Sequence, residues 1–271
     1  MTKLNIDEIK KIELNILDEF HKYCEKNNLR YYLAYGTLLG AIRHKGFIPW
    51  DDDIDVVMPR PDYNKFLLLT AEKGIAEHYD TVLYKGCTKK SIYPFMKVID
   101  NTTIVYEPGK AEKNTSGIWI DIFPLDGYPE DSNKGLELFN SNMKFRHLQD
   151  ILTTSPFSKN QSLLKKIIKG CIIRPFLMLY GLNRICEKMN TIVQSYNFEN
   201  SKLCSDILWG ESSTAFFEKE KLEPFELTSF ENKQFRIPYC WKDFLEKNYG
   251  DYMQLPPENQ RISHGIDAYQ L

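Results

Sequence analysis

The sequence predicts an α+β fold: a mixed β-sheet flanked by helices, with a helical insertion and a C-terminal segment made of a β-hairpin and a helix. Three observations carry this expectation. Apolar residues recur at helical spacing near the start. Short β-prone runs then mix with helix-like stretches up to about residue 130. From there to about residue 200 the pattern is helical, before a hairpin signal returns. The 271 residues, 42% hydrophobic, suffice for one large domain or a domain with an appendage.

Ile9, Ile12, Ile16, Phe20 and Tyr23 recur at three- and four-residue steps, with Glu8, Lys11, Asp18 and Lys22 between them. This is an amphipathic helix, and Asn5 with Glu8 three positions on forms a capping box. His21 falls on or near its polar side and reads as a solvated histidine. Leu29-Arg30-Tyr31-Tyr32-Leu33-Ala34 is a β-prone run, and the Gly36-Thr37 turn follows it just ahead of a short helical stretch. Residues 53–58 read as the next strand. Arg60-Pro61-Asp62-Tyr63 reads as a helix start, since Pro is tolerated in the first turn and Asp62 suits the positive end of the dipole. Phe66-Leu67-Leu68-Leu69 then reads as core. Further β-like runs are Thr81-Val82-Leu83-Tyr84, residues 93–99, Thr103-Ile104-Val105-Tyr106 and residues 117–127, where Asp126 before Gly127 reads as a turn residue. Residues 225–238 read as a hairpin turning near Glu231-Asn232, and 241–249 as a helix.

The chemistry concentrates in Asp51-Asp52-Asp53-Ile54-Asp55, four carboxylates within five positions running into Val56-Val57-Met58. Adjacent acids repel, and such a cluster persists mainly where a cation neutralises it or solvent bathes it. On a strand, period-2 alternation puts Asp53 and Asp55 on one face, where they can share a hard cation. Mg²⁺ suits that arrangement, taking one or two protein carboxylates and completing its shell with water and substrate phosphate. A calcium loop is excluded, because its sixth and twelfth positions require Gly and Glu and here hold Val56 and Asp62. Gly36 and Thr37 offer backbone N–H groups to a phosphate. Asp121, set among Ile118, Trp119, Ile120, Ile122 and Phe123, is costly to bury unless a cation or donors meet it. Lys97 inside an apolar strand reads either as reaching a donor phosphate or as lying on an exposed sheet face.

Gly36-Thr37-Leu38-Leu39-Gly40, Arg43-His44-Lys45-Gly46, Pro49-Trp50-Asp51-Asp52-Asp53-Ile54-Asp55 and Arg60-Pro61-Asp62-Tyr63 together resemble the LicD family of phosphocholine transferases. That family is similar to the fukutin-type ribitol-phosphate transferases and sits in the nucleotidyltransferase superfamily. The resemblance is dense over residues 14–66, returns at Trp119-Ile120-Asp121-Ile122-Phe123-Pro124, and again at residues 249–257. It implies a nucleotidyltransferase-like sheet and a divalent metal, Mg²⁺ with Mn²⁺ as its substitute, held by Asp53, Asp55 and Asp121, which are also the catalytic residues. It implies a CDP-linked donor, most simply CDP-choline, and a glycan, lipopolysaccharide or teichoic-acid-like acceptor. Gly36, Thr37, Arg43, Lys45, Asp52, Lys97 and His264 are the expected substrate-binding residues. The alternative reaction is an ordinary nucleotidyl transfer that releases pyrophosphate. On this basis the chain divides into a catalytic core over 1–130, a helical segment over 131–210 facing acceptor or membrane, and a C-terminal segment over 211–271 packing back on the core.

A net charge of −2 argues against nucleic-acid binding, for which a basic excess is expected. The six cysteines are scattered without a C-x-x-C pair, which speaks against a zinc site or a disulfide framework. A polar start without an apolar h-region makes a cytoplasmic location the expectation. Residues 162–185 are basic and apolar, yet too interrupted to span a bilayer. They read as a helical hairpin packing on the catalytic sheet or as an interfacial element against the inner face of the membrane, with the hairpin preferred.

Overall fold

The computed structural model describes residues 1–87, 89–110, 116–154, 167–261, 263 and 265–271. In chain order the elements are β1 (Thr2–Lys3), α1 (Ile6–Asn27), β2 (Tyr32–Leu33), α2 (Tyr35–Arg43), β3 (Asp55–Pro59), α3 (Arg60–Thr70), β4 (Tyr79–Val82), β5 (Met96–Asp100), β6 (Thr103–Tyr106) and β7 (Trp119–Tyr128). There follow α4 (Ser132–Thr153), helical turns over Ile168–Ile173, α5 (Arg174–Tyr180), α6 (Leu182–Val193), β8 (Leu203–Ser205), β9 (Phe217–Glu218), the β10–β11 hairpin (Glu226–Phe230, Lys233–Ile237), α7 (Trp241–Tyr249) and β12 (Asp267–Gln270). The fold is α+β, as the sequence predicts.

The central sheet runs β2-β3-β7-β5-β4, with β8 added on the far end of β7 and β9 on β8. Among the described residues the β3–β7 pair is its one parallel pair; the others are antiparallel. All ten residues of β7 are buried, so the strand reads as a continuous apolar run interrupted by two acids. Helix α1 opens with the expected capping box, Glu8 N–H donating to the Asn5 side chain and Asn5 N–H to Glu8. It packs against β5 and β7, burying Ile9, Ile16, Leu17 and Phe20. Each such side chain contributes about 1.5–3 kcal/mol by leaving water. Phe20 meets Tyr31 and Phe66 edge to face at 5.0 and 5.3 Å.

Several expectations are corrected. The strand expected over 53–58 begins only at Asp55. Its antiparallel partner β2 pairs Leu33 with Val56 and then turns into α2, so before Asp55 that side has no strand to join, although Ile54 O still accepts the Asp121 N–H of β7 at 2.8 Å. In α3, Phe66 is buried but Leu68 is 83% exposed, because the inward stripe is Tyr63, Phe66 and Thr70. Asp126 is not in a turn. Strand β7 continues through it, and the buried carboxylate receives two hydrogen bonds from Arg60, Nε to Oδ1 and a terminal nitrogen to Oδ2, both 2.6 Å. Gly127 is small for packing, since a Cβ there would meet Ser201 Oγ at 2.5 Å and Tyr196 O at 2.6 Å. His21 is half-buried against Phe235, its Nδ1 paired with Tyr31 OH at 2.7 Å, and burial lowers its pKa. The hairpin turns at Glu231-Asn232 as expected, with Glu231 left-handed at φ 54.

Candidate active site

Parallel pairing of β3 with β7 makes Asp55 and Asp121 register partners, and antiparallel pairing on the other side makes Lys97 the partner of Asp121. Register partners share a sheet face, so the three form a row across adjacent strands. Lys97 Nζ lies 3.1 Å from Asp121 Oδ1 and sits over the rings of Trp119 and Tyr93, 3.9 and 4.3 Å from their centroids. Trp119 Nε1 donates to Asp121 Oδ2 at 3.2 Å. The lysine approaches Oδ1 as a charge and not along a hydrogen-bonding direction, so this buried oxygen keeps unused acceptor capacity.

Asp51, Asp53, Asp55 and Asp121 line one cavity of about 370 Å³, closed by Tyr35, Gly36, Phe123, Trp209 and Tyr249 among others. Gly36 lies in the first turn of α2 and is small for a reason: a Cβ there would meet Asp51 Oδ2 at 2.5 Å. Burial, and then the neighbouring charges of Asp53, Asp121 and Asp51, push the Asp55 carboxyl well up, with Lys97 pulling the other way. Asp121 is raised by burial and restrained by Lys97 and Trp119. Desolvation and then the charges of Asp55, Asp51 and Asp53 push the Tyr249 hydroxyl well up, although the residue as a whole is partly exposed. An acid cavity with this self-repulsion favours a bound cation. Among the described residues no three His, Cys, Asp or Glu side chains stand close enough to hold an ion as a cage. The acids lining the cavity are hard oxygen donors, the type that suits a metal taking one or two carboxylates with water and phosphate, as Mg²⁺ does.

The expected site residues divide. Asp53 and Asp55 share the cavity although only Asp55 lies on the strand. Gly36 lines it as well. Thr37 is buried, and its hydroxyl accepts the Asp55 N–H at 2.8 Å, so it fixes the start of β3 from behind the wall. Asp52 is buried outside the cavity lining. Arg43 lines an adjoining cavity of about 530 Å³ that shares Gly36, Asp51 and Tyr249 with the first, and it donates to Tyr252 O at 2.8 Å. Lys45 is exposed, left-handed at φ 62, and contributes a carbonyl to Glu231 N–H, away from both cavities. Lys97 is neither on an exposed face nor in the acid cavity; it is buried against Asp121 and borders a separate cavity of about 530 Å³. His264 lies outside the described residues.

Sequence reasoning missed the aromatic and distal part of the wall. Tyr35, left-handed at φ 43, donates from its hydroxyl to Asp206 Oδ2 at 2.8 Å. Burial raises Asp206 to about 6, while Trp209 N–H and the Tyr35 hydroxyl oppose that rise. Arg146 on α4 donates to the carbonyls of Trp209 and Gly210, holding that loop at the cavity. No spacing pattern marks Trp209, whereas Tyr249 stands in the 249–257 string on which the resemblance partly rests.

A family model described as LicD/FKTN/FKRP, nucleotidyltransferase domain, matches residues 28–161, which span α2, the acid cluster and β7. The lipopolysaccharide cholinephosphotransferase LicD of Haemophilus influenzae is 31% identical over 285 aligned residues, covering 100% of both chains. An uncharacterized protein of Rickettsia prowazekii is 33% identical over 118 residues, 42% of this chain and 39% of its own. Full-length similarity of this degree, on a fold that gathers the motif's acids around one cavity, identifies the chain as a member of the LicD family of phosphocholine transferases.

Proposed function

We propose that the protein transfers phosphocholine from a CDP-linked donor to a hydroxyl of a cell-surface glycan, of lipopolysaccharide or teichoic-acid type, in a metal-dependent reaction on a nucleotidyltransferase-like core. The supporting observation is the convergence of Asp51, Asp53, Asp55 and Asp121 on one cavity beside the N-terminal turn of α2. Lipopolysaccharide as acceptor class comes from the named activity of the Haemophilus relative. A lipid-bearing acceptor in turn places the work of the protein peripherally at a membrane.

Asp53 and Asp55, with Asp121 beside them, would hold Mg²⁺, or Mn²⁺ in its place, which would supply neutralisation of the charge that builds on the diphosphate and the departing CMP. The protein's own groups do the rest. Backbone N–H groups of the first turn of α2, around Gly36, face the donor phosphates with the positive end of the helix dipole. The acceptor oxygen attacks the phosphorus that carries choline, its bond to CMP breaks, and CMP leaves with the electron pair. The hydroxyl proton passes to Asp121, whose raised pKa suits it to accept a proton nearer neutrality than an ordinary carboxylate. Lys97 keeps that group oriented and compensates its charge. Arg43 faces the remainder of the donor from the adjoining cavity.

Incubation with CDP-choline, CDP-ribitol, CDP-glycerol and CTP, with Mg²⁺ or EDTA, tests the reading. Release of CMP from CDP-choline only with metal supports it; release of pyrophosphate from CTP selects nucleotidyl transfer instead.

A further inference from the structure

The helical turns over Ile168–Ile173 and helix α5 contain no buried residue. Within residues 167–180, seven large apolar side chains are exposed, among them Phe176 at 70%, Met178 at 63% and Leu179 at 83%. Leu177 alone of this stretch is counted among the apolar residues packed on the core. A helix apolar on all sides needs cover. Residues 162–166 of the expected hairpin lie outside the described residues; among those described, the main contacts of α5 run to the preceding helical turns, α4 and α6. Arg174 fastens it by donating to Thr154 O at 3.2 Å and Leu152 O at 3.1 Å, at the end of α4.

Charge points to the covering partner. From residue 151 to 186 the sequence has no Asp or Glu and carries Lys159, Lys165, Lys166, Lys169, Arg174 and Arg184, in a chain whose overall charge is −2. A second copy docking face to face would set these bases against each other. Among the described residues no helix is long and apolar enough to cross a membrane. An outward row of Ile, Phe, Met, Leu and Tyr flanked by bases fits an interfacial element lying in the headgroup layer.

We infer that the exposed face of residues 167–180 docks on an anionic lipid bilayer, with Phe176, Met178 and Leu179 inserted and Lys169 and neighbouring bases on the phosphates. The inference deepens the peripheral membrane location proposed above, but its evidence is independent of the reaction. Helix α4 links the two regions: its end holds α5, and its Arg146 holds the Trp209 loop at the acid cavity.

Co-sedimentation of the full chain with vesicles of phosphatidylcholine mixed with phosphatidylglycerol, against phosphatidylcholine alone, tests it. Binding is expected to the anionic vesicles and to weaken with salt. The exposed-site variant Phe176→Ser/Leu179→Ser, and separately Lys169→Glu, should each lower binding about tenfold or more while leaving the CDP-choline-induced rise in melting temperature unchanged. That ligand shift reports on the donor site, so loss of the shift in the wild type sinks the functional reading and leaves the lipid result standing. Absence of wild-type binding to anionic vesicles overturns the inference. So does unchanged binding by both variants, or a dimer in light scattering that Phe176→Ser/Leu179→Ser disperses.

Discussion

Asp55 and Asp121 stand side by side across the parallel β3–β7 pair of the central sheet, 66 positions apart in sequence and joined by register. Parallel pairing requires a long crossover, and here α3, β4, β5 and β6 fill it. The crossover also places Lys97 on the far side of Asp121, so one carboxylate faces an acid on one flank and a base on the other. Asp55 carries the repulsion and Asp121 the compensation. Under the proposed reaction, this asymmetry assigns Asp55 to charge binding and Asp121 to the proton.

Asp53→Asn and Asp55→Asn should each lower turnover by more than about a thousandfold, some 4 kcal/mol in the barrier. Without divalent cation, Asp55→Asn should melt higher than the wild type, because it removes a charge that its acidic neighbours disfavour. Turnover within about tenfold of wild type, roughly 1.4 kcal/mol, would remove the residue from the site.

Asp121→Asn should cut turnover at least about a hundredfold, the usual worth of a positioned general base, with the donor dissociation constant nearly unchanged. It also strands the buried Lys97, so melting should fall. Adding Lys97→Met to the variant should recover melting without recovering turnover. Recovery of both would make Asp121 a structural acid only.

The buried pair of Arg60 and Asp126 ties α3 to β7, 8% and 1% exposed in their side chains. Asp126→Ala should cost about 3–5 kcal/mol in urea unfolding, since it leaves a buried guanidinium uncompensated. Arg60→Met with Asp126→Leu should return most of that loss. Arg60→Lys should not substitute fully, because lysine cannot reproduce the two-pronged contact.

Asp206 titrates at about 6 in the fold against 3.8 unperturbed. Its folded value lies above its unfolded value, so the native state holds the proton longer. The neutral group's contribution is complete below about pH 3.8 and lost as pH rises through 6. Asp206→Asn should remove up to about 3 kcal/mol of that decline, making the variant gain on wild type between pH 4 and 7 in unfolding titrations. A pH-independent difference would show that Asp206 does not titrate in this window.

Local chemistry was legible in the sequence where it acts locally. The Asn5–Glu8 box, the hairpin turn at Glu231 and helix α7 depend on neighbours in the chain, and they fall where periodicity and capping place them. The role of an isolated charge was not legible. Asp126 looked like a turn residue because its partner Arg60 is 66 positions away, and Lys97 looked amphibious because register alone sets it against Asp121. Asp53 and Asp55 meet in the cavity for a reason other than strand alternation, since β3 starts between them. Trp209 and Tyr35 reach the wall through contacts that no periodic pattern reports: Arg146 donates to the Trp209 carbonyl, and Asp206 behind the wall receives the Tyr35 hydroxyl.

The most direct measurement follows the phosphorus. ³¹P NMR of CDP-choline incubated with the protein, Mg²⁺ and a lipopolysaccharide acceptor should show CMP appearing in step with a phosphodiester on the acceptor, with neither formed by Asp55→Asn. Pyrophosphate from CTP, or CMP release that survives Asp55→Asn, would contradict the account.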